Sequence, residues 1–170
     1  MKSYDIIVLG GSAAGITAAI TARRHHPTKS ILLIRKEEKV PVPCGIPYIF
    51  GTVGSADQNL IPDTGLKKHS VDIAVEEVTD LRPADRYLRC SNGNDYQYQK
   101  LVFATGSQPV VPPIPGVRRE TVYAVHKNVD YLDAMHRASR KAERVAVIGG
   151  GFIGVEMSDE INKEPDHKVT

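Results

Sequence analysis

Ile6-Ile7-Val8-Leu9-Gly10-Gly11-Ser12-Ala13-Ala14-Gly15 is the stretch whose reading decides the fold. Four consecutive apolar residues are the pattern of a strand buried on both faces of a parallel sheet. A glycine-rich turn follows at once, then an alanine-rich segment of helical composition from Ile16 to Arg24. Ile31-Leu32-Leu33-Ile34 reads as the next buried strand. Together they predict a βαβ unit of about 30 residues with glycines in its first turn, the context a dinucleotide fingerprint requires. Small residues in such a turn let the backbone approach a pyrophosphate, and the helix N-terminus offers free N–H groups and partial positive charge. Ala14, Ala18 and Ala22 form a small helix face expected to sit close on the sheet.

Two residues depart from the fingerprint. Ser12 replaces the second glycine, a small residue whose hydroxyl can itself reach phosphate. Arg35 stands at the end of the second strand, where an acid usually binds the adenosine ribose. Glu37 or Glu38, just downstream, are the candidates to substitute for it.

The pattern returns near the other end. Val145-Ala146-Val147-Ile148 leads into Gly149-Gly150-Gly151-Phe152-Ile153-Gly154, and Val155-Glu156-Met157 opens a helix. This copy satisfies G-x-G-x-x-G in full, at Gly149, Gly151 and Gly154. One such motif is weak, because glycine-rich turns are common. Two strand–turn–helix copies in one chain imply two dinucleotides, in practice a flavin and a nicotinamide. Glu156 reads either as a favourable charge at the helix N-terminus or as a contact to the nicotinamide ribose.

Between the copies lies Val40-Pro41-Val42-Pro43-Cys44-Gly45-Ile46-Pro47-Tyr48, a single cysteine hemmed in by prolines and glycine. Proline fixes φ and glycine admits backbone closed to other residues, so the thiol is held in one place. A redox thiol needs that placement; the bland alternative is a small apolar residue in a tight turn. Farther on, Leu66 to His69 suggests a short helix. The runs Val71–Val75, Val78–Leu81, Tyr87–Cys90 and Tyr96–Tyr98 suggest strands leading into a small antiparallel meander, with Gly93 at a turn. Leu101-Val102-Phe103-Ala104 reads as a buried strand running into Thr105-Gly106. The proline-rich 108–116 is an extended connector, and Asn128 to Arg140 is weakly helical.

Composition narrows the class. The chain has 170 residues, 41% hydrophobic and 25% charged, with a formal net charge of +2, and reads as globular and soluble. Lys and Arg are scattered, without the runs or aromatic interleaving of a nucleic-acid surface. No apolar run is long enough to span a membrane. Cys44 and Cys90 do not suggest a secreted disulfide framework, and Cys90, in a β-like run, reads as a small buried residue. The six histidines show no zinc-ligand spacing, so no metal is expected; His25 and His26 suit the negative end of a helix dipole. The start passes straight into a strand and leaves no room for a signal peptide, so a cytoplasmic protein is expected.

With both fingerprints and the cysteine stretch in view, the sequence resembles the N-terminal part of the FAD- and NAD(P)H-dependent pyridine nucleotide–disulfide oxidoreductases. It is most similar to their single-cysteine branch, which includes coenzyme A disulfide reductases, persulfide reductases, NADH oxidases and NADH peroxidases. The resemblance covers essentially the whole chain. It rests on the Gly10–Gly15 turn, Pro43-Cys44-Gly45-Ile46-Pro47-Tyr48, Ala104-Thr105-Gly106, and Gly149 to Glu156.

The resemblance implies an α/β fold. A Rossmann-like FAD-binding domain, with a parallel sheet and a small antiparallel meander, would occupy 1–110. A connector and helical lead-in would follow at 111–144, and the truncated start of a second Rossmann-like, NAD(P)-binding domain at 145–170. It places FAD pyrophosphate at Gly10, Gly11, Ser12, Ala13, Ala14 and Gly15. Adenosine falls to Arg35, Lys36, Glu37 and backbone near Val78. Ala104, Thr105 and Gly106 would lie by the flavin nucleotide, with Pro43 and Cys44 beside its ring. NAD(P)H would bind at Gly149, Gly151, Phe152, Ile153 and Gly154, with Glu156 nearby, and pass hydride to the flavin. Cys44 would then receive electrons, cycling between thiolate and a mixed disulfide, persulfide or sulfenic acid, the substrate supplying the second sulfur or oxygen.

Peroxidases and water-forming oxidases of this branch place a histidine inside the first glycine turn; Ala13 here argues against a peroxidase. Arg23 or Arg24, at the basic end of the first helix, could meet coenzyme A phosphates or simply face water. Val40 stands where a serine often precedes the cysteine by four residues, which counts against coenzyme A. The favoured acceptor is a small disulfide or persulfide, ahead of oxygen. The alternatives are an NADH oxidase, a cysteine-independent reductase of a protein partner such as rubredoxin, and a non-catalytic FAD-binding module. Because the chain stops where the strand after the second helix begins, it is expected to be a fragment of a homodimeric enzyme, with little activity alone.

Overall fold

The computed structural model describes residues 1–164 and 168–170, and these group into two compact units. The first comprises Met1–Glu38 and Ile61–Gly106; the second, Lys39–Leu60 and Ser107–Thr170. The stretch carrying Cys44 therefore packs with residues much later in the chain.

In the first unit, β1 (Lys2–Leu9), α1 (Ala13–His25) and β2 (Ile31–Arg35) form the expected βαβ unit. The single-turn α2 (Thr64–Lys68) leads to β3 (Asp72–Val75), followed by β4 (Val78–Arg82), β5 (Tyr87–Cys90) and β6 (Asp95–Phe103). The six-stranded sheet runs β3-β2-β1-β6-β5-β4. β3, β2, β1 and β6 are parallel, while β4 and β5 fold back as an antiparallel meander on the N-terminal half of β6. This is the Rossmann-like architecture read from the glycine turn, with one refinement. The runs at Tyr96–Tyr98 and Leu101–Phe103 are one long strand, whose first half pairs with β5 and whose whole length pairs with β1.

Side-chain alternation divides the apolar run of β1 between two cores. Ile7 and Leu9 join Leu32, Ile34, Leu88 and Tyr96 on one face; Ile6 and Val8 join Ile31, Leu33 and Ala19 of α1 on the other. The close face of α1 centres on Gly15 and Ala19, with Ala18 and Ala22 beside it. Ala14, expected on that face, is exposed. The end of β6 is also less buried than expected. Val102 and Ala104 pack toward the α1 core, but alternation turns Phe103 outward, where it is 63% exposed.

In the second unit, three 3-10 turns, Pro43–Gly45, Pro47–Phe50 and Ala56–Asn59, precede α3 (Val129–Ser139) and α4 (Phe152–Ile161). The Asn128 side chain caps α3 by accepting from the Tyr131 amide at 3.0 Å. Ile46, Ile49, Phe50, Leu132, Met157 and Ile161 form the core. β7 (Arg144–Val145) pairs in parallel with β8 (Lys168–Val169), the strand read at the end of the sequence. The expected strand at Val145–Ile148 is regular only at its start. Val147 still donates to the Thr170 carbonyl at 2.8 Å, but Ile148 is exposed.

Candidate cofactor and thiol sites

The first glycine turn is built by close backbone approach. Gly10 has φ of +113°, and a Cβ there would strike the Ala104 carbonyl; a Cβ on Gly15 would strike the carbonyl of Gly10. The Gly10 amide donates to Ile34 O and the Ala104 amide to Leu9 O, both at 2.8 Å. Gly10–Gly15 and Ala104–Gly106 are thus brought together at the C-terminal ends of parallel strands, the general ligand position of open α/β sheets. Ser12 is the N-cap of α1, yet its side chain makes no capping bond, so the hydroxyl is available to a ligand.

Arg35 lies across this turn. The methylenes of its side chain fill the space a Cβ on Gly11 would need. Its Nη1 and Nη2 donate to the two carboxylate oxygens of Asp63 at 2.5 and 2.8 Å, and Nη2 also donates to Glu38 O at 2.8 Å. Nε, buried beside the turn, has no partner among the described residues. The Arg35 carbonyl accepts from the Glu76 amide at 2.7 Å and Lys36 pairs with Glu77 at 2.9 Å, so the chain entering Val78 runs beside the end of β2. The residues expected at the adenosine end therefore do converge, but the strand-end charge is positive and already paired. Asp63 lies in a loop with no motif to mark it.

The second glycine turn repeats the first. Gly149 has φ of +128°, and a Cβ on Gly154 would strike the Gly149 carbonyl, as Gly15 would strike Gly10. The first helical bond is the same, Val155 N to Gly151 O at 3.0 Å against Ile16 N to Ser12 O at 3.0 Å. Phe152 and Ile153 are exposed at the head of α4, and Glu156 is exposed one turn further on. At its other end α4 is bolted to the segment after Cys44: buried Glu160 accepts from the Thr52 amide and hydroxyl, both at 2.8 Å, and from Lys163 at 2.6 Å. Burial pushes the Glu160 carboxyl up, but these bonds outweigh it and hold the group below the usual carboxylate range.

Cys44 is exposed, in the 3-10 turn that Pro43 opens. The Gly45 amide closes the turn on Val42 O at 3.0 Å. Cys90 is buried, and burial, with Glu76 beside it, pushes its thiol up to about 12. One cysteine is presented to solvent and the other is sealed. Arg23, the arginine considered for a substrate phosphate, spends its guanidinium on four carbonyls, those of Pro27, Lys29, His69 and Ser70. It braces the end of α1 against the α2–β3 turn. Among the described residues no group of three or more His, Cys, Asp or Glu side chains could hold a metal, and no helix is long and apolar enough to cross a membrane.

Two glycine turns of one geometry and one exposed thiol are the features the structure presents, and comparison with known proteins gives the family. The family model described as pyridine nucleotide-disulphide oxidoreductase matches residues 4–170, and the chain belongs to that family. It is 32% identical over 160 residues to the NAD(P)H coenzyme A polysulfide/persulfide reductase of Pyrococcus horikoshii, covering 91% of this chain and 36% of the relative. To the NADH oxidase of Methanocaldococcus jannaschii it is 33% identical over 162 residues, covering 89% and 36%. Among solved structures, the reduced CoADR-RHD of Bacillus anthracis superposes with a TM-score of 0.83 at 28% identity, covering 99% of this chain and 32% of that one. The chain thus spans about a third of the length of the proteins it matches.

Proposed function

We propose that this chain is the flavin-binding part, and the opening of the nicotinamide-binding part, of an NAD(P)H-dependent reductase of small disulfides or persulfides that works through Cys44. The observation that carries the reading is the repeated turn: Gly10 and Gly149 both have positive φ, and a Cβ on Gly15 or Gly154 would strike the carbonyl of Gly10 or Gly149. In domain terms, 1–110 would bind FAD, 111–144 would connect, and 145–170 would open the NAD(P) domain; of these last, 165–167 lie outside the described residues.

The residues fit the cofactors. The Gly10–Gly15 amides and the uncommitted Ser12 hydroxyl would hold the FAD pyrophosphate, with Ala104–Gly106 flanking it. Arg35, Lys36, Glu37 and Val78 would border adenosine, where the buried Arg35 Nε–H has no acceptor among the described residues. Gly149, Gly151, Phe152, Ile153 and Gly154 would receive the nicotinamide dinucleotide, with Glu156 toward its ribose. FAD, when bound, supplies acceptance of hydride from NAD(P)H and delivery of two electrons to sulfur.

Cys44 carries the exchange. Its thiolate attacks one sulfur of a disulfide RSSR; the Cys44–sulfur bond forms, the substrate bond breaks, and RS⁻ leaves. Two electrons and one proton then cleave the mixed disulfide, returning the Cys44 thiolate and releasing RSH. With a persulfide RSSH, the Cys44 thiolate attacks the outer sulfur, the substrate S–S bond breaks and RS⁻ leaves; two electrons and one proton then cleave the Cys44 persulfide to the Cys44 thiolate and hydrogen sulfide. Ala13 supports sulfur over peroxide as the acceptor, since it brings no acid or base into the first turn. The whole protein is expected to act as a homodimer.

Native intact mass of the purified, unreduced chain tests the reading. Retained FAD supports the first site. On Cys44, a coenzyme A adduct points to disulfide reduction and added sulfur to persulfide, whereas added oxygen points to an oxidase. A bare mass with an inert Cys44 overturns it. The chain alone is expected to oxidise NAD(P)H poorly even with FAD added, and full activity in a Cys44→Ser form of the whole protein would favour a cysteine-independent reductase of a protein partner.

A further inference from the structure

The Cys44 turn is held from outside by a residue that no motif marks. The short stretch before the cysteine pairs with the end of the Ala56–Asn59 turn: Pro41 and Leu60 form an antiparallel bridge, and the Val42 amide donates to Asn59 O at 2.8 Å. The Asn59 side chain returns the contact, its Nδ2 donating to Val42 O at 3.0 Å. That same carbonyl accepts the Gly45 amide that closes the cysteine turn, so Val42 O is the point at which Asn59 and the Cys44 turn are tied together. The other end of the amide faces Gly45, and a Cβ there would land on Asn59 Oδ1. Gly45 has no positive φ, so no backbone strain demands glycine; the space does.

Asn59 is itself fixed. It is 8% exposed, and its turn is anchored to α3, where Asp133 accepts from the Ala56 amide at 3.1 Å and Ala56 is fully buried against the Leu132 core. Lys39 and Asp57 add an exposed ion pair across the same two stretches at 2.7 Å. A buried amide that spends its donor on the cap of a three-residue turn and its bulk on the next glycine determines where the residue between them stands.

We propose that Asn59 is the positioning residue for Cys44, and that Gly45 is glycine because the Asn59 amide occupies the space of its side chain. The inference rests on the reading of Cys44 as the redox thiol, but its test involves no electron transfer. Failure here therefore differs from failure of that reading, which Cys44→Ser in the whole protein decides.

Alkylation of the 170-residue chain by N-ethylmaleimide, followed residue by residue in the mass spectrum, is the experiment, with buried Cys90 as internal control for unfolding of the first unit and slow hydrogen exchange at the Leu132 amide of α3 as control for the second. Asn59→Ala and Asn59→Asp, which both remove the donor, should change the Cys44 rate by about fivefold, the scale of one neutral hydrogen bond lost from the turn that places this exposed thiol, with Cys90 still protected. Gly45→Ala should also change the rate, because the new methyl displaces the amide. Added to Asn59→Ala it should change nothing further, since the atom it collides with is gone. A Cys44 rate within about twofold of wild type in both Asn59 variants overturns the proposal, as does independence of the two sites in the double variant. Should Asn59→Ala label both cysteines at once, Gly45→Ala alone decides, an unchanged Cys44 rate overturning the assignment.

Discussion

Arg35 closes a two-point ion pair on Asp63, 28 residues downstream, with the arginine side chain 5% exposed and the carboxylate 25% exposed. Asp63 stands at the N-cap of α2 but makes no capping bond, so its carboxylate is committed to Arg35 instead of to its own helix. The geometry is bidentate, the form in which a guanidinium recognises a carboxylate best. Removing Asp63 strands a buried cation. Asp63→Ala should cost about 3 kcal/mol in urea unfolding, the low end for a broken buried pair because solvent reaches one partner. The double change Arg35→Met with Asp63→Leu should recover most of that loss. A double variant as unstable as Asp63→Ala would show that packing of the arginine stem over Gly11, and not charge, is the main contribution.

The two glycine turns make a matched pair of predictions. Gly15→Ala and Gly154→Ala each place a methyl on a backbone carbonyl of the same turn, that of Gly10 or Gly149. Each should destabilise by about 3 kcal/mol, the upper range for overpacking, as read by chemical denaturation. Gly54→Ala has open space around it, but a φ of +82° gives it strain without collision, about 1 kcal/mol. A Gly15→Ala loss no larger than that of Gly54→Ala would mean the turn relaxes easily.

These turns were the legible part of the chain. Where strand, turn and helix must meet within a few residues, the local sequence contains every participant, so β1, α1, β2 and the head of α4 could be placed from residue types alone. The rest depends on partners distant in sequence. Asp63 answers Arg35, Asn59 answers Gly45 and Glu160 answers Thr52 across loops without periodicity, and no spacing rule marks such pairs. A basic helix end reads as a phosphate contact or a water-facing charge; Arg23 in addition bonds four backbone carbonyls from two loops, which no local pattern shows. Phe103 is exposed for a related reason: a short apolar run shows that a strand exists but not how many sides of it are covered.

The two cysteines should separate cleanly in solution. Cys90, buried with its thiol pushed up to about 12, should resist alkylation at about pH 8 in the folded chain and react only on unfolding, while Cys44 reacts at once. Mass analysis of briefly treated protein should show one adduct, on Cys44. A second adduct appearing at the same rate would place Cys90 at the surface.

His136 gives the second unit a weakness toward acid. It is buried in α3, its ring edge-on to Phe50 at 5.5 Å between centroids, and Nε2 has no partner among the described residues. Burial, then the charge of Arg140, lowers its pKa below the ordinary 6.5, with Glu164 and Asp133 pulling the other way. The unfolded chain therefore takes up a proton that the folded chain refuses. Stability is complete above about pH 6.5 and falls as the pH drops from there through the lowered folded value. His136→Leu should flatten the melting temperature between about pH 6.5 and 5. An unchanged slope would assign the acid sensitivity to other groups.

Glu160 should respond to acid in a lower window. Its pKa is held below 4.5 by Lys163 and Thr52 against the opposing effect of burial, so the folded carboxylate resists protonation more than the unfolded one. It contributes stability that is present above about pH 4.5 and lost as the pH falls through the lowered folded value. Glu160→Gln keeps the size of the side chain but removes the charge that three donors share. A loss of about 2 kcal/mol at neutral pH is expected, the scale of hydrogen bonds to a charged group, with a smaller loss at about pH 3, where the wild-type carboxyl also approaches neutrality. Because Thr52 lies just after the Pro47–Phe50 turn and Glu160 on α4, the same substitution should speed hydrogen exchange at the Thr52 amide, which donates to Glu160 at 2.8 Å. Slow exchange at Thr52 in the variant would show that apolar packing of Ile49 and Phe50, rather than this carboxylate, joins the cysteine segment to the helix of the second glycine turn.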